Sequence, residues 1–108
     1  MGMDLYFQAF DAQNQPLGER QNLRCREIYH TFNRWCEQLG WGTPESGERV
    51  NMDAAQWGVV APKIAHDIAQ VDQAICGSNE EQAQALGAEW LERIWPAGAH
   101  RVEYWFTV

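Results

Sequence analysis

The sequence predicts an α+β domain in which a two-stranded sheet, made by the strands at the two chain ends, packs under three helices in the order β-α-α-α-β. Three observations lead there. Both ends alternate in side-chain character with period two. Three central stretches carry apolar residues at helical spacing. The 108 residues suffice for one domain, 1–108, and not for two. A chain of this length buries roughly two-thirds of the surface its unfolded form exposes, so its core needs neither disulfides nor metal.

The first strand is read in Asp4 to Phe10, with Leu5, Phe7 and Ala9 on one face and Tyr6, Gln8 and Phe10 on the other. Asp11 to Gly18 holds Asn14, Pro16 and Gly18 and reads as a loop. Residues 20 to 39 read as a helix. Cys25, Ile28, Tyr29, Phe32, Trp35, Cys36 and Leu39 fall within an arc of about 120°, and Gly40 stands where a C-terminal stop is expected. Gly42, Pro44 and Gly47 make a loop of 41 to 51.

From 53 to 76, Trp57, Val60, Ile64, Ile68, Val71 and Ile75 keep one helical phase, with Asp53 as N-cap and Gly77 as stop. Pro62 lies inside this stretch and predicts a kink or break near 58 to 62, because proline removes the bond to the Gly58 carbonyl and collides with it. Ser78-Asn79-Glu80-Glu81 reads as a capping box opening a helix over 79 to 95. Its inner stripe is Ala83, Leu86, Gly87, Trp90, Leu91 and Ile94, with Gly87 permitting close approach of another helix. In the last strand, Val102, Tyr104, Phe106 and Val108 alternate with Arg101, Glu103, Trp105 and Thr107. The two terminal strands are expected to pair with each other, leaving both sheet edges open.

The chain carries 15 acids against 8 bases, a formal charge of −7, and residues 37 to 92 hold ten of the acids with only Arg49 and Lys63 against them. Such a surface repels phosphate, so nucleic acid is not an expected partner and a basic protein is. No run of about 18 apolar residues could cross a bilayer, and no membrane association is expected. The three cysteines, Cys25, Cys36 and Cys76, are odd in number, lack a CxxC and follow no signal-peptide pattern, which favours the cytoplasm with reduced, buried thiols.

No catalytic, cofactor-binding or metal-binding residues are read. His30, His66, His100 and the three cysteines lack ligand spacing on a shared helix face; Cys25 and His30, five apart, point about 140° away from each other. Cys36 sits on an apolar stripe, where a thiolate is disfavoured. There are two serines, Ser46 and Ser78, neither in a GxSxG, and no phosphate-binding glycine loop. Glu80 and Glu81 are ordinary helix-start acids, and His66 falls on a solvated face.

What remains is surface character. Glu81, Glu89 and Glu92 share one helix face, with Asp67 and Asp72 nearby if the fold brings them together. Trp41 or Trp105, if exposed, would anchor a partner there. The competing reading is a solvated helix face and tryptophans that fill the core. The length, the acidity, the six tryptophans and the lack of catalytic motifs make the chain similar in character to immunity proteins of bacterial toxin systems. That resemblance implies an inhibitor of a cognate toxin; no motif carries individual residues across. Two rivals stand beside it: a self-associating domain, a homodimer paired through open sheet edges, and a small ligand-binding or enzyme domain with a Trp-lined pocket.

Overall fold

Leu5, Phe7 and Ala9 are buried while Tyr6, Gln8 and Phe10 between them are half-buried, so the first strand, β1 (Asp4–Phe10), sets one face on a core as its alternation demands. The computed structural model describes residues 4–24, 28–42 and 44–107, and the backbone alone for 24, 28–30 and 32. The remaining elements are β2 (Pro16–Arg24), α1 (Ile28–Gln38), β3 (Val50–Asp53), α2 (Ala54–Cys76), α3 (Glu80–Ile94) and β4 (Arg101–Thr107).

The terminal strands β1 and β4 do pair, antiparallel, with Asp4 opposite Thr107 and Phe10 opposite Arg101. They are the centre of the sheet, however, and not the whole of it. The sheet has four strands in the order β2-β1-β4-β3, every neighbouring pair antiparallel. This corrects the two-stranded expectation, and the two added strands come from stretches read otherwise. Residues 16 to 24 were expected to be loop and helix start. They fold back on β1 instead, through a turn in which the Asp11 carboxylate accepts from the backbone N–H groups of Gln13 and Gln15. Residues 50 to 53, expected as loop and helix cap, pair with Arg101 to Tyr104. An unpaired backbone beside β1 or β4 would leave buried donors and acceptors without partners, and these segments supply them.

The helices are closer to expectation. Asp53 ends β3 and caps α2 in one residue: its carboxylate accepts from Gln56 N–H at 2.8 Å, and Gln56 returns the bond at 3.0 Å. The break expected near Pro62 does not occur, for α2 is one helix from Ala54 to Cys76. Pro62 and Gly58 both lie on the exposed side, where water hydrates the carbonyl that proline leaves without a donor. The capping box of α3 is shifted by one residue: Asn79 and Gln82, rather than Ser78 and Glu81, exchange the two bonds. Of the phase-aligned residues in α2, Val60, Ile64 and Ile68 are buried and Trp57 and Val71 partly so. Ile75, expected inward, is 54 % exposed near the end of this long helix. The first helix begins at Ile28, so Cys25 lies outside the described residues. Of its predicted stripe, Trp35 and Cys36 are fully buried and Leu39 packs beside them.

All three helices lie on one side. α1 packs on α2, α2 on α3 and β3, and α3 on β1. The core between the layers joins Leu5, Phe7, Met52, Val102 and Tyr104 from the sheet to Trp35, Val60, Ile64, Trp90 and Ile94 from the helices. Gly87 sets the spacing of the helix layer. A Cβ there would stand 2.6 Å from the Ala65 carbonyl oxygen, so α2 and α3 touch backbone to backbone at this point. Gly58, by contrast, has open space around it. Gly87→Ala is therefore expected to destabilise the protein by about 1–3 kcal/mol through enforced separation of the helices. Gly58→Ala should stabilise it by about 0.5–1 kcal/mol through helix propensity. Urea-unfolding midpoints of the two variants check both signs.

Candidate functional site

With the helices on one face, the other face of the sheet is left to its own side chains. It carries a row that crosses all four strands in space. The Arg20 guanidinium, from β2, lies 4.5 Å from the Tyr6 ring centre. Tyr6, from β1, stacks on Trp105 of β4 at 5.5 Å and 23°, and Trp105 lies beneath the Arg49 guanidinium, just before β3, at 4.2 Å. The register makes this possible, since Tyr6 and Trp105 are directly opposite in the β1–β4 ladder. A parallel contact sits toward the other end of the same strands. Arg101 lies 3.9 Å over Phe10, gives hydrogen bonds to Asn14 at 2.9 Å and Asn51 at 3.0 Å, and pairs with Glu103 at 3.1 Å. Arg49 reaches the same carboxylate at 3.4 Å.

Two consequences follow for charge. Glu103 is shared between Arg49 and Arg101, so the carboxylate in the middle of this face is already compensated. Arg20 has a ring under it and no carboxylate against it among the described residues. Arg20, Arg49 and Arg101 are thus gathered on one face of a chain of −7, beside the carboxylates of Glu103 and Asp4. The acids of α3 stand on the opposite side of the molecule, in the helix layer.

The residues singled out from sequence are not gathered into one site. Trp105 is 6 % exposed, beneath Arg49, and takes no part in the main core; Trp41 is half-buried against Tyr104, 5.4 Å between ring centres. Neither is the exposed anchor that was expected. None of the six tryptophans is exposed: Trp57 stacks on Trp95 at 5.6 Å, Trp90 is in the core, and Trp35 is sealed between α1 and α2. The Trp35 indole N–H donates to Asp67 at 2.8 Å, so Asp67 holds two helices together instead of facing a partner. Asp72 lies by the exposed Cys76, whose thiol it holds above its ordinary range through a hydrogen bond. Glu81, Glu89 and Glu92 are exposed on the outside of α3, with Glu89 paired to Arg93 one turn on. The residues that sequence reasoning missed are Tyr6, Phe10, Arg20, Arg49 and Arg101. For Tyr6, Phe10 and Arg101 the available signal was the second face of each terminal strand; Arg20 and Arg49 lie outside those strands and had no such signal.

Two grooves flank α2. One, of about 490 Å³, runs between α2 and α3 and is lined by Ala65, Ala69, Ala88 and the side chains of His66, Gln73 and Gln84 among others. The other, of about 240 Å³, lies between α1 and α2 with Arg34, Lys63 and His66 at its rim. Both are shallow surface clefts. The His30 side chain lies outside the described residues, while His66 and His100 are exposed and apart in the chain. Among the described residues no three His, Cys, Asp or Glu side chains converge as a metal site would require, and no helix is long and apolar enough to cross a membrane. The sheet edges are guarded. β3 is four residues long, and β2 begins with a proline, carries charges and is irregular opposite Phe7 to Ala9.

The buried thiol of Cys36 lies 3.9 Å from the Tyr104 hydroxyl. Burial pushes it up to about 11, against the Tyr104 contact, which favours the thiolate, and with a smaller push from Glu48. Burial likewise holds the Tyr104 hydroxyl protonated. No protein-family model matches the chain, nor does any curated protein or solved structure.

The Cys36 shift implies a pH dependence of known sign. The folded state holds the proton where the unfolded chain, near 9, has begun to lose it. The stabilisation is thus complete below pH 9 and lost progressively up to pH 11. The expected loss assigned to this group is about 2–3 kcal/mol. Urea unfolding of wild type and Cys36→Ala between pH 7 and 11 isolates it as a difference in slope; parallel curves would remove the assignment.

Proposed function

We propose that this chain is a protein-binding module whose recognition surface is the helix-free face of the sheet. The observation that supports the reading is the row Arg20–Tyr6–Trp105–Arg49. Tryptophan, tyrosine and arginine are the residue types that dominate binding hot spots, because they combine large area with few rotors and directed donors. Interfaces also favour arginine and aromatic residues over lysine. The one lysine, Lys63, is on α2, away from this face. The row is rigid, because each ring is held by its neighbour and by a guanidinium, and a rigid surface loses little entropy on binding.

An inhibitor of a protein toxin, the immunity-type role that the overall composition suggests, is one form such a module takes. The acidic strip of Glu81, Glu89 and Glu92 offers a second surface, suited to a basic partner through long-range attraction. It lacks the arginine-capped aromatic row that the sheet face has. Self-association through sheet edges is the weaker reading, because both edges are blunted.

The two surfaces are separated by charge reversal. Immobilised wild-type protein, Arg20→Glu/Arg49→Glu and Glu81→Lys/Glu92→Lys are exposed to a lysate of the source organism, with circular dichroism confirming that each variant is folded. Wild type and the helix variant should retain the same protein, and the sheet variant should lose it. Loss by the helix variant alone, or no protein retained by wild type, would overturn the reading.

A further inference from the structure

The chemistry of the helix-free face narrows what it receives. Arg20, Arg49 and Arg101 stand on that face with two described strand carboxylates, Asp4 and Glu103, and Glu103 is already bound on two sides. A guanidinium over a ring presents its N–H groups outward in a planar fork, which matches a carboxylate. Arg20 and Arg49 stand at opposite ends of a path of 4.5, 5.5 and 4.2 Å steps. An extended segment rising about 3.3 Å per residue crosses that span in about four residues. An even spacing keeps both acidic side chains on the same side of such a segment.

We propose that the helix-free face receives an acidic protein segment in extended form, with two carboxylates about four residues apart seated on Arg20 and Arg49. The proposal rests on the reading of this face as the recognition surface and adds the partner's chemistry. A single-stranded nucleic acid would also meet the guanidiniums, but its grip on a sheet comes from bases stacking on free rings. Here Tyr6 and Trp105 stack on each other and each already carries a guanidinium, leaving Trp105 only 6 % exposed. A second copy of this chain presenting the same face would set guanidinium against guanidinium.

The test uses three probes: a Ser/Thr-rich peptide with two Glu four residues apart, the same peptide with Gln in place of Glu, and an oligothymidylate of similar length. Binding is followed by NMR on the Trp105 indole and the arginine Nε–H signals at low ionic strength. The Glu peptide should shift the Trp105, Arg20 and Arg49 signals, and the Gln peptide should not. Arg20→Gln and Arg49→Gln should each weaken binding by about fivefold. Arg→Lys at the same positions keeps charge without the fork and should fall between. The proposal is overturned if the Glu peptide leaves these signals unmoved, if the Gln peptide binds equally, or if only the oligothymidylate binds. Should the peptide fail while the lysate experiment still loses its protein with the sheet variant, the face stands and the carboxylate chemistry falls. Should both be insensitive to Arg20 and Arg49, both fall.

Discussion

The stacking of Tyr6 on Trp105 is the contact around which this structure is organised on its solvent side. A four-stranded sheet has two faces, and three helices cover one. On the uncovered side, aromatic rings at adjacent central positions would expose a large apolar area to water. The chain answers with the rings' mutual contact and with arginines whose apolar stems and flat heads lie over them. One row of side chains thus closes the sheet against water and, in the same geometry, presents directed donors outward. The contacts that close this face against water and the donors it turns outward therefore belong to the same atoms.

The helix layer does a different task. Its close contact at Gly87, the indole–carboxylate bond from Trp35 to Asp67 and the Trp57–Trp95 stack fix α1, α2 and α3 relative to one another. On its outer surface Glu37, Glu80, Glu81, Glu89 and Glu92 are exposed. The charge argument made from sequence placed ten of the acids in residues 37 to 92 and expected Glu81, Glu89 and Glu92 on one helix face. Seven of the 15 acids are in the three helices, while Arg20, Arg49 and Arg101 lie on the helix-free face of the sheet.

How legible all this was in the sequence varied with the range of the interactions involved. The helices at 54 to 76 and 80 to 94 were legible because their apolar stripes and caps, with Gly77 as the stop of the first, are local signals that agree with one another. The cap of α3 was misplaced by one residue because Ser78/Glu81 and Asn79/Gln82 make equally good boxes on paper. β2 was illegible: Glu19, Arg20, Gln21 and Arg24 are sound helix formers, and only pairing with β1 makes them a strand. β3 is too short for any periodicity to register. The helix-free face was half-legible. The alternation put Tyr6 and Trp105 each on a defined face of its strand, but that residue 6 meets residue 105 is a matter of register between chain ends. Arg20 and Arg49 had been read into a helix and a loop.

The most direct measurement is the coupling free energy between Tyr6 and Trp105, from urea unfolding of Tyr6→Leu, Trp105→Leu and the double variant. A face organised by this ring pair predicts a coupling of about 0.5–1.5 kcal/mol beyond the area each ring buries. Strictly additive effects would contradict it, for then the two side chains would not meet and the row of arginines would have nothing common to rest on.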